Sequence, residues 1–191
     1  MRLGLFSPSP EVPRDWWLTF GGGCWERVEI EIGPGNCGYL KAAAAAAPST
    51  LHVGIEILPG SLARAGAALP RNLHLLVGDG GWMVEHLFQP GSIDAFHVYF
   101  PDPWWKKRHH KRRLFQPAFC AAAREALRPG GAVHVVTDVV PLFAEIRERM
   151  LEARFAEEAW QRTTSDLACS AYERKYRQQG RRFEQAIFRK P

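Results

Sequence analysis

Residues 101–113 read PDPWWKKRHHKRR, a stretch whose side chains suit chemistry on a nucleic-acid base. Asp102 lies between Pro101 and Pro103, so two residues with restricted backbones hold its carboxylate. Trp104 and Trp105 follow and offer flat stacking surfaces. Lys106, Lys107, Arg108, Lys111, Arg112 and Arg113 then place six formal positive charges within eight positions. A fixed carboxylate, an aromatic pair and a cationic run together suit a site that handles a base and holds its phosphates. A charge run alone is usually a solvated face, and a bare turn needs neither the tryptophans nor the cations. His109 and His110 are adjacent and lack the i, i+4 spacing of helical metal ligands, so no metal is expected.

A second group of residues suits a cofactor. Glu31 precedes the run Gly33-Pro34-Gly35-Asn36-Cys37-Gly38. Glycines at such a turn let a ligand approach the backbone, and a helix start follows. GPGNCG also satisfies the G-x-G-x-x-G dinucleotide fingerprint, and Glu56 stands where a carboxylate would grip ribose hydroxyls, so NAD is an open alternative. Glu31 points the other way. Beside the glycine turn it would repel a diphosphate and welcome a sulfonium or an amino group. Asp79 would accept from an adenine amine or cap the next helix. Glu31, Glu56, Asp79 and Asp102 together make an acidic crevice, better suited to cationic S-adenosylmethionine.

These residues need elements that bring them together. Apolar, β-rich runs at 28–32, 51–57, 72–78, 93–100 and 132–138 alternate with helical segments at 38–47, 60–69, 111–127 and 141–153. Residues 81–88 read as helical or irregular, and Pro129-Gly130-Gly131 as a helix stop. Two further strands are expected at 155–163 and 183–189. Alternation of this kind implies a mostly parallel, seven-stranded Rossmann-like α/β sheet with helices on both faces. Ligands bind such sheets at the carboxyl ends of the strands, where every motif above falls. Residues 1–27, with Pro8, Pro10, Pro13 and Gly21–Gly23, read as an irregular arm before a single domain at 28–191.

Composition narrows the class. The 191 residues suffice for one core, and 46% hydrophobic with 24% charged content is that of a globular chain. The net charge of +5 is concentrated at 106–113, which suggests a polyanionic partner. Cys24, Cys37, Cys120 and Cys169 form no CxxC pair and read as reduced. No apolar run is long enough for a membrane span, and MRLGLFSPSP lacks a signal-peptide core. The expectation is a cytoplasmic protein, a monomer or homodimer, with no membrane or metal partner.

FPDPWWKKRHHKRRL, EIGPG (31–35), VGIE (53–56), Gly78-Asp79, VTD (136–138) and the closing YERKYRQQGRRFEQAIFRK resemble the bacterial tRNA (guanine-N7)-methyltransferase family, in family order, over roughly residues 16 to 190. The resemblance implies a class I methyltransferase fold, S-adenosylmethionine as donor and, as acceptor, the guanosine at position 46 of the tRNA variable loop. It implies a cofactor site of Glu31, Gly33, Gly35, Glu56, Asp79 and Asp102, with Asp102 catalytic. It implies that Lys106, Asp138, Ser170, Ala171, Tyr172 and Glu173 meet the substrate, and that Lys107, Arg108, Lys111, Arg112 and Arg113 hold the RNA backbone. Tyr172 would stack on the base and Glu173 accept from its edge, unless Tyr172 is core and Glu173 pairs with Arg177. Cys37 stands where the family usually has a third glycine, and Ser170-Ala171 where it has Thr-Lys. The lost lysine leaves room for an RNA-binding protein of altered chemistry. Asp102-Pro103-Trp104 distantly resembles the D-P-P-Y loop of exocyclic-amine methyltransferases, which leaves another RNA base open.

Overall fold

The computed structural model describes residues 4–5, 25–64, 69–160 and 178–191. Its centre is β2 (Arg27–Ile32), flanked by β3 (Thr50–Glu56) and β5 (Ile93–Tyr99), both parallel to it. β4 (Leu73–Val77) extends the sheet beyond β3. β6 (Leu127–Thr137) extends it beyond β5, again in parallel. Then β8 (Glu184–Arg189) and β7 (Ala156–Ala159) close that side with antiparallel pairs. These are the seven expected strands. An eighth, β1 (Gly4–Leu5), pairs in parallel with β4, so part of the expected irregular arm adds to the sheet edge. The order β1-β4-β3-β2-β5-β6-β8-β7 reverses at β2.

Each strand splits its side chains between two cores, because successive residues point to opposite faces. Val28 and Ile30, Val53 and Ile55, Phe96 and Val98, and Val133 and Val135 face one core. Helices α3 (Gly80–Leu87), α4 (Pro117–Ala126) and α5 (Val140–Glu152) cover it with residues such as Met83, Phe119 and Ile146. On the other face, α1 (Gly38–Ala46) and α2 (Pro59–Ala63) bring Leu40, Ala44 and Leu62 onto Leu73 and Leu75. Gly54 permits that contact. A Cβ there would lie 2.7 Å from Leu40, 2.9 Å from Leu75 and 3.0 Å from Pro34 of the glycine turn.

Three local expectations are corrected. The helix expected at 111–127 begins instead at Pro117, and Lys107–Arg112 form a separate 3₁₀ turn. Pro117 has no N–H to give and sits in the first turn, while Gln116 before it is extended. Pro129-Gly130-Gly131 lies inside the β6 span, where the register with β5 shifts and Gly130 has φ +74°. The α2 segment is shorter than the expected helix and ends at Ala63.

The α1 face of the central strands is unusually polar. Glu29 accepts from Nε2 of His97 at 3.0 Å, His97 stacks on His134, and His52 lies across the strand pair from Glu29. Burial works to raise the Glu29 carboxyl. The hydrogen bond to His97, the fields of His97 and His52 and a bond from Arg27 outweigh it and hold Glu29 at about 2. His52 is 1% exposed, and neither ring nitrogen has a hydrogen-bond partner. Burial pushes its pKa down to about 4, against the pull of Glu29. The unfolded chain therefore takes up a proton near pH 6.5 that the folded chain refuses until about pH 4. Stability conferred by neutral His52 is present above that window and falls as the pH drops through it, by on the order of 2–3 kcal/mol. Replacing His52 by Leu should flatten this part of a stability profile measured by urea unfolding from pH 7 to pH 4; an unchanged slope would contradict the assignment.

Candidate functional site

Where the strand order reverses, a cleft of about 650 Å³ opens beyond the carboxyl ends of β2 and β5. Glu31, Gly33, Gly35, Tyr99, Asp102, Trp105, Asp138 and Arg181 line it, among others. A second cleft of about 600 Å³ lies at the amino ends of β5 and β6, beside Pro90, Gly91, Arg124 and Lys190. It is shallow, mixes both signs of charge and holds none of the expected site residues, so the site is the cleft at the reversal.

The glycine turn forms one wall. Gly33, Gly35 and Cys37 all have positive φ, at 74°, 56° and 60°. A Cβ on Gly33 or Gly35 would meet nothing within 4 Å, so both sites leave backbone open to a ligand. Glu31 is buried at the end of β2 and reaches the cleft. Glu56 ends β3 beneath the turn. Its Oε2 accepts from the N–H of Gly35 at 3.2 Å and its Oε1 from that of Leu58 at 3.0 Å, so it braces the turn from beneath. Each oxygen keeps a second lone pair for a further donor. Asp79 caps α3 by accepting from the N–H of Trp82 at 3.0 Å and does not line the cleft.

The opposite wall is the turn after β5. Phe100 and Trp104 adopt positive φ, at 53° and 46°, on either side of Pro101-Asp102-Pro103. Bulky residues in this region cost of order 1–3 kcal/mol each and persist only where the surroundings hold them. The N–H of Phe100 donates to Val136 O at 2.7 Å, and the Phe100 ring packs edge-on against Phe183. The two tryptophans diverge. Trp104 turns inward, edge-on to His109, with the Arg112 guanidinium 5.1 Å from its ring centre. Trp105 is 73% exposed and lines the cleft.

Of the expected basic contacts, Lys106, Lys107, Arg108, Lys111 and Arg112 are exposed on or beside the 3₁₀ turn. Arg113 is not free in this way: its side chain is 12% exposed and tied to Pro103 and Glu145. Asp138 follows β6 and receives Arg181 at 3.3 Å. Ser170, Ala171, Tyr172 and Glu173 lie outside the described residues. Tyr99, Arg64 and Arg181 are cleft residues that pattern reading missed. Tyr99 ends an apolar strand, Arg64 stands in no motif, and Arg181 lies in the closing segment, where no role was assigned to it. Among the described residues, no group of three or more His, Cys, Asp or Glu is placed to hold a metal ion. No described helix is long and apolar enough to cross a membrane.

The chain matches the family model described as "Putative methyltransferase" over residues 26–189. It belongs to this methyltransferase family. A tRNA (guanine-N(7)-)-methyltransferase of Burkholderia cenocepacia (strain HI2424) is 37% identical over 164 residues, covering 84% of this chain and 62% of that protein. One of Nocardia farcinica (strain IFM 10152) is 45% identical over 141 residues, 72% of this chain and 51% of that protein. The chain thus spans about half to six-tenths of the length of these relatives. Among solved structures, the 16S rRNA methyltransferase KamB superposes with a TM-score of 0.65 at 17% identity, covering 100% of this chain and 98% of that one. The aminoglycoside resistance methyltransferase NpmB1 gives 0.63 at 15% identity, with 95% of each chain covered. At these identities the two structures establish the class I methyltransferase fold.

The glycine turn fits a donor of this class. It combines open backbone at Gly33 and Gly35 with the fixed negative charge of Glu31, a better match to a cation than to a diphosphate. Cys37 completes the turn at a cost. Its thiol is fully buried, and burial together with Glu31 and Glu56 pushes it up to about 12, against Lys41. Cys37→Gly would remove the left-handed strain but also the buried side chain, two opposing terms of about 1 kcal/mol each. Its unfolding free energy should therefore stay within about 1 kcal/mol of the parent. A larger loss in thermal melts would show that burial dominates.

Proposed function

We propose that the chain transfers a methyl group from S-adenosylmethionine to N7 of a guanine in tRNA, at the variable-loop position of its relatives' family. The observation that carries this reading is the convergence of Glu31, Asp102 and Asp138, from the ends of three parallel strands, in one cleft beside an exposed basic turn. The family match favours a methyl donor over the dinucleotide alternative. The activity of the relatives supplies the acceptor.

The bound donor supplies an activated methyl on a sulfonium. Glu31 binds the cationic end of that molecule, and Gly33 and Gly35 admit it against the backbone. Glu56 holds the turn and accepts from ribose hydroxyls. Guanine N7 bears a lone pair and no proton, so the chain needs no general base and acts by positioning and electrostatics. Asp102 accepts from the N–H edge of the guanine, orients N7 and offsets the positive charge the ring gains. Asp138 shares this role once Arg181 yields it. Trp105 stacks on a base at the mouth of the cleft, while Lys106, Lys107, Arg108 and Lys111 hold phosphates.

Incubation with labelled S-adenosylmethionine and unmodified tRNA, followed by nucleoside analysis, should yield 7-methylguanosine. Asp102→Asn keeps the shape of the turn and removes the charge. Turnover should fall by about 100-fold with tRNA affinity nearly unchanged. Label appearing in another nucleoside, or unaltered turnover in the variant, would refute the assignment.

The basic turn makes a separate prediction through counterion release. Each phosphate contact contributes about 0.7 to 0.9 to the slope of log affinity against log salt. Replacing Lys106 and Arg108 together by Ala should flatten that slope by roughly one to two units and leave donor affinity unchanged. Filter binding over a range of salt concentrations measures it; an identical slope would make the turn a solvated face.

A further inference from the structure

Arg113 closes the basic run, yet its surroundings differ from those of its neighbours. Its Nε–H donates to the carbonyl of Pro103 at 2.9 Å, within the turn that carries Asp102. One terminal nitrogen pairs with Glu145 of α5, and the other donates to Nε2 of His110 at 2.8 Å. Glu145 is itself held by Arg149, one helical turn on, at 2.7 Å. Arg149 also donates to the carbonyl of Phe115 at 2.6 Å. Gln116 donates from its side chain to the carbonyls of His110 and Arg113, both at 3.0 Å. The guanidinium thus spends its three nitrogens on the Asp102 turn, a helix in the core layer and the 3₁₀ turn. A planar five-donor fork can do this; a lysine ammonium cannot reach all three with the same geometry.

The turn it grips needs such a hold. Phe100 and Trp104 occupy left-handed conformations on either side of Asp102. The Pro103 carbonyl bonded by Arg113 immediately precedes Trp104. We infer that Arg113, fixed by Glu145, is the positioning residue of the Asp102 turn and not an RNA-backbone contact. Glu145 makes α5 the anchor, so the carboxylate's place in the cleft is set by a helix packed on the sheet's far core. The effect on turnover rests on the methyl-transfer reading above; the effect on the turn does not.

Arg113→Lys keeps the charge and loses the fork. Glu145→Gln keeps the size and releases the guanidinium. In both variants, amide hydrogen exchange at Phe100, whose N–H is bonded to Val136 O at the start of the turn, should quicken by tenfold or more, while exchange in the central strands is unchanged. Turnover on tRNA should fall at least tenfold, with dissociation constants for tRNA and donor within twofold of the parent and the salt slope unaltered. The double variant should be no worse than the poorer single one, because the two side chains act as one strut. A phosphate-binding Arg113 makes opposite predictions: Glu145→Gln would tighten RNA binding without slowing turnover, and Arg113→Lys would leave exchange as it was. Unchanged exchange at Phe100 in both variants overturns the inference. If the parent protein forms no 7-methylguanosine, the methyl-transfer reading falls, and the exchange data still decide what Arg113 does.

Discussion

The cleft depends on one constraint: β2 is hydrogen-bonded in parallel on both sides, to β3 and to β5. Parallel pairing puts the ends of β2 and β5 at the same edge, so Glu31 and Asp102 arrive on one rim although 71 positions separate them in sequence. The connection from β2 runs to β3 on one side and that from β4 returns to β5 on the other, and the space between them is the site. Gly54 and Gly80 let the elements beneath the rim pack closely. A Cβ on Gly80 would lie 2.5 Å from Ile32, just as one on Gly54 would collide with Leu40.

Two kinds of strain sit at the rim. The glycine turn carries a buried cysteine at positive φ, and the Asp102 turn carries Phe100 and Trp104 in the same region. Both are held from outside. Glu56 bonds the first through the Gly35 N–H, and Val136 O and Arg113 bond the second. Tolerating unfavourable local geometry where function is placed, and compensating through neighbouring contacts, is a common arrangement at functional sites.

Much of this was legible in the residues. Apolar, β-rich runs located the strands, and motif positions at strand ends located the rim. The Asp102 turn and the open glycines follow from types and spacing alone. The helix start at Pro117 was also readable, since a proline inside an expected helix belongs in its first turn, but the basic run before it drew the expected boundary too early. Arg113 was not readable, because in a row of six cations nothing local separates the one that turns inward. Nor was Arg181, which reaches Asp138 across 43 positions by the pairing of β8 with β6. Asp79 could serve a ligand or a helix end by sequence, and the free N–H groups of α3 claim one of its oxygens.

The placement of β8 carries a consequence for assembly. β8 follows β7 in the chain yet lies between β6 and β7, and β7 pairs with no other described strand. While synthesis has not passed residue 189, β6 keeps an unpaired edge and β7 has nothing to join. The edge closes in one late, long-range event that docks both strands together and brings Arg181 to the rim. During translation the parallel half of the sheet can thus form first, and the cleft acquires its last wall only once β8 has left the ribosome.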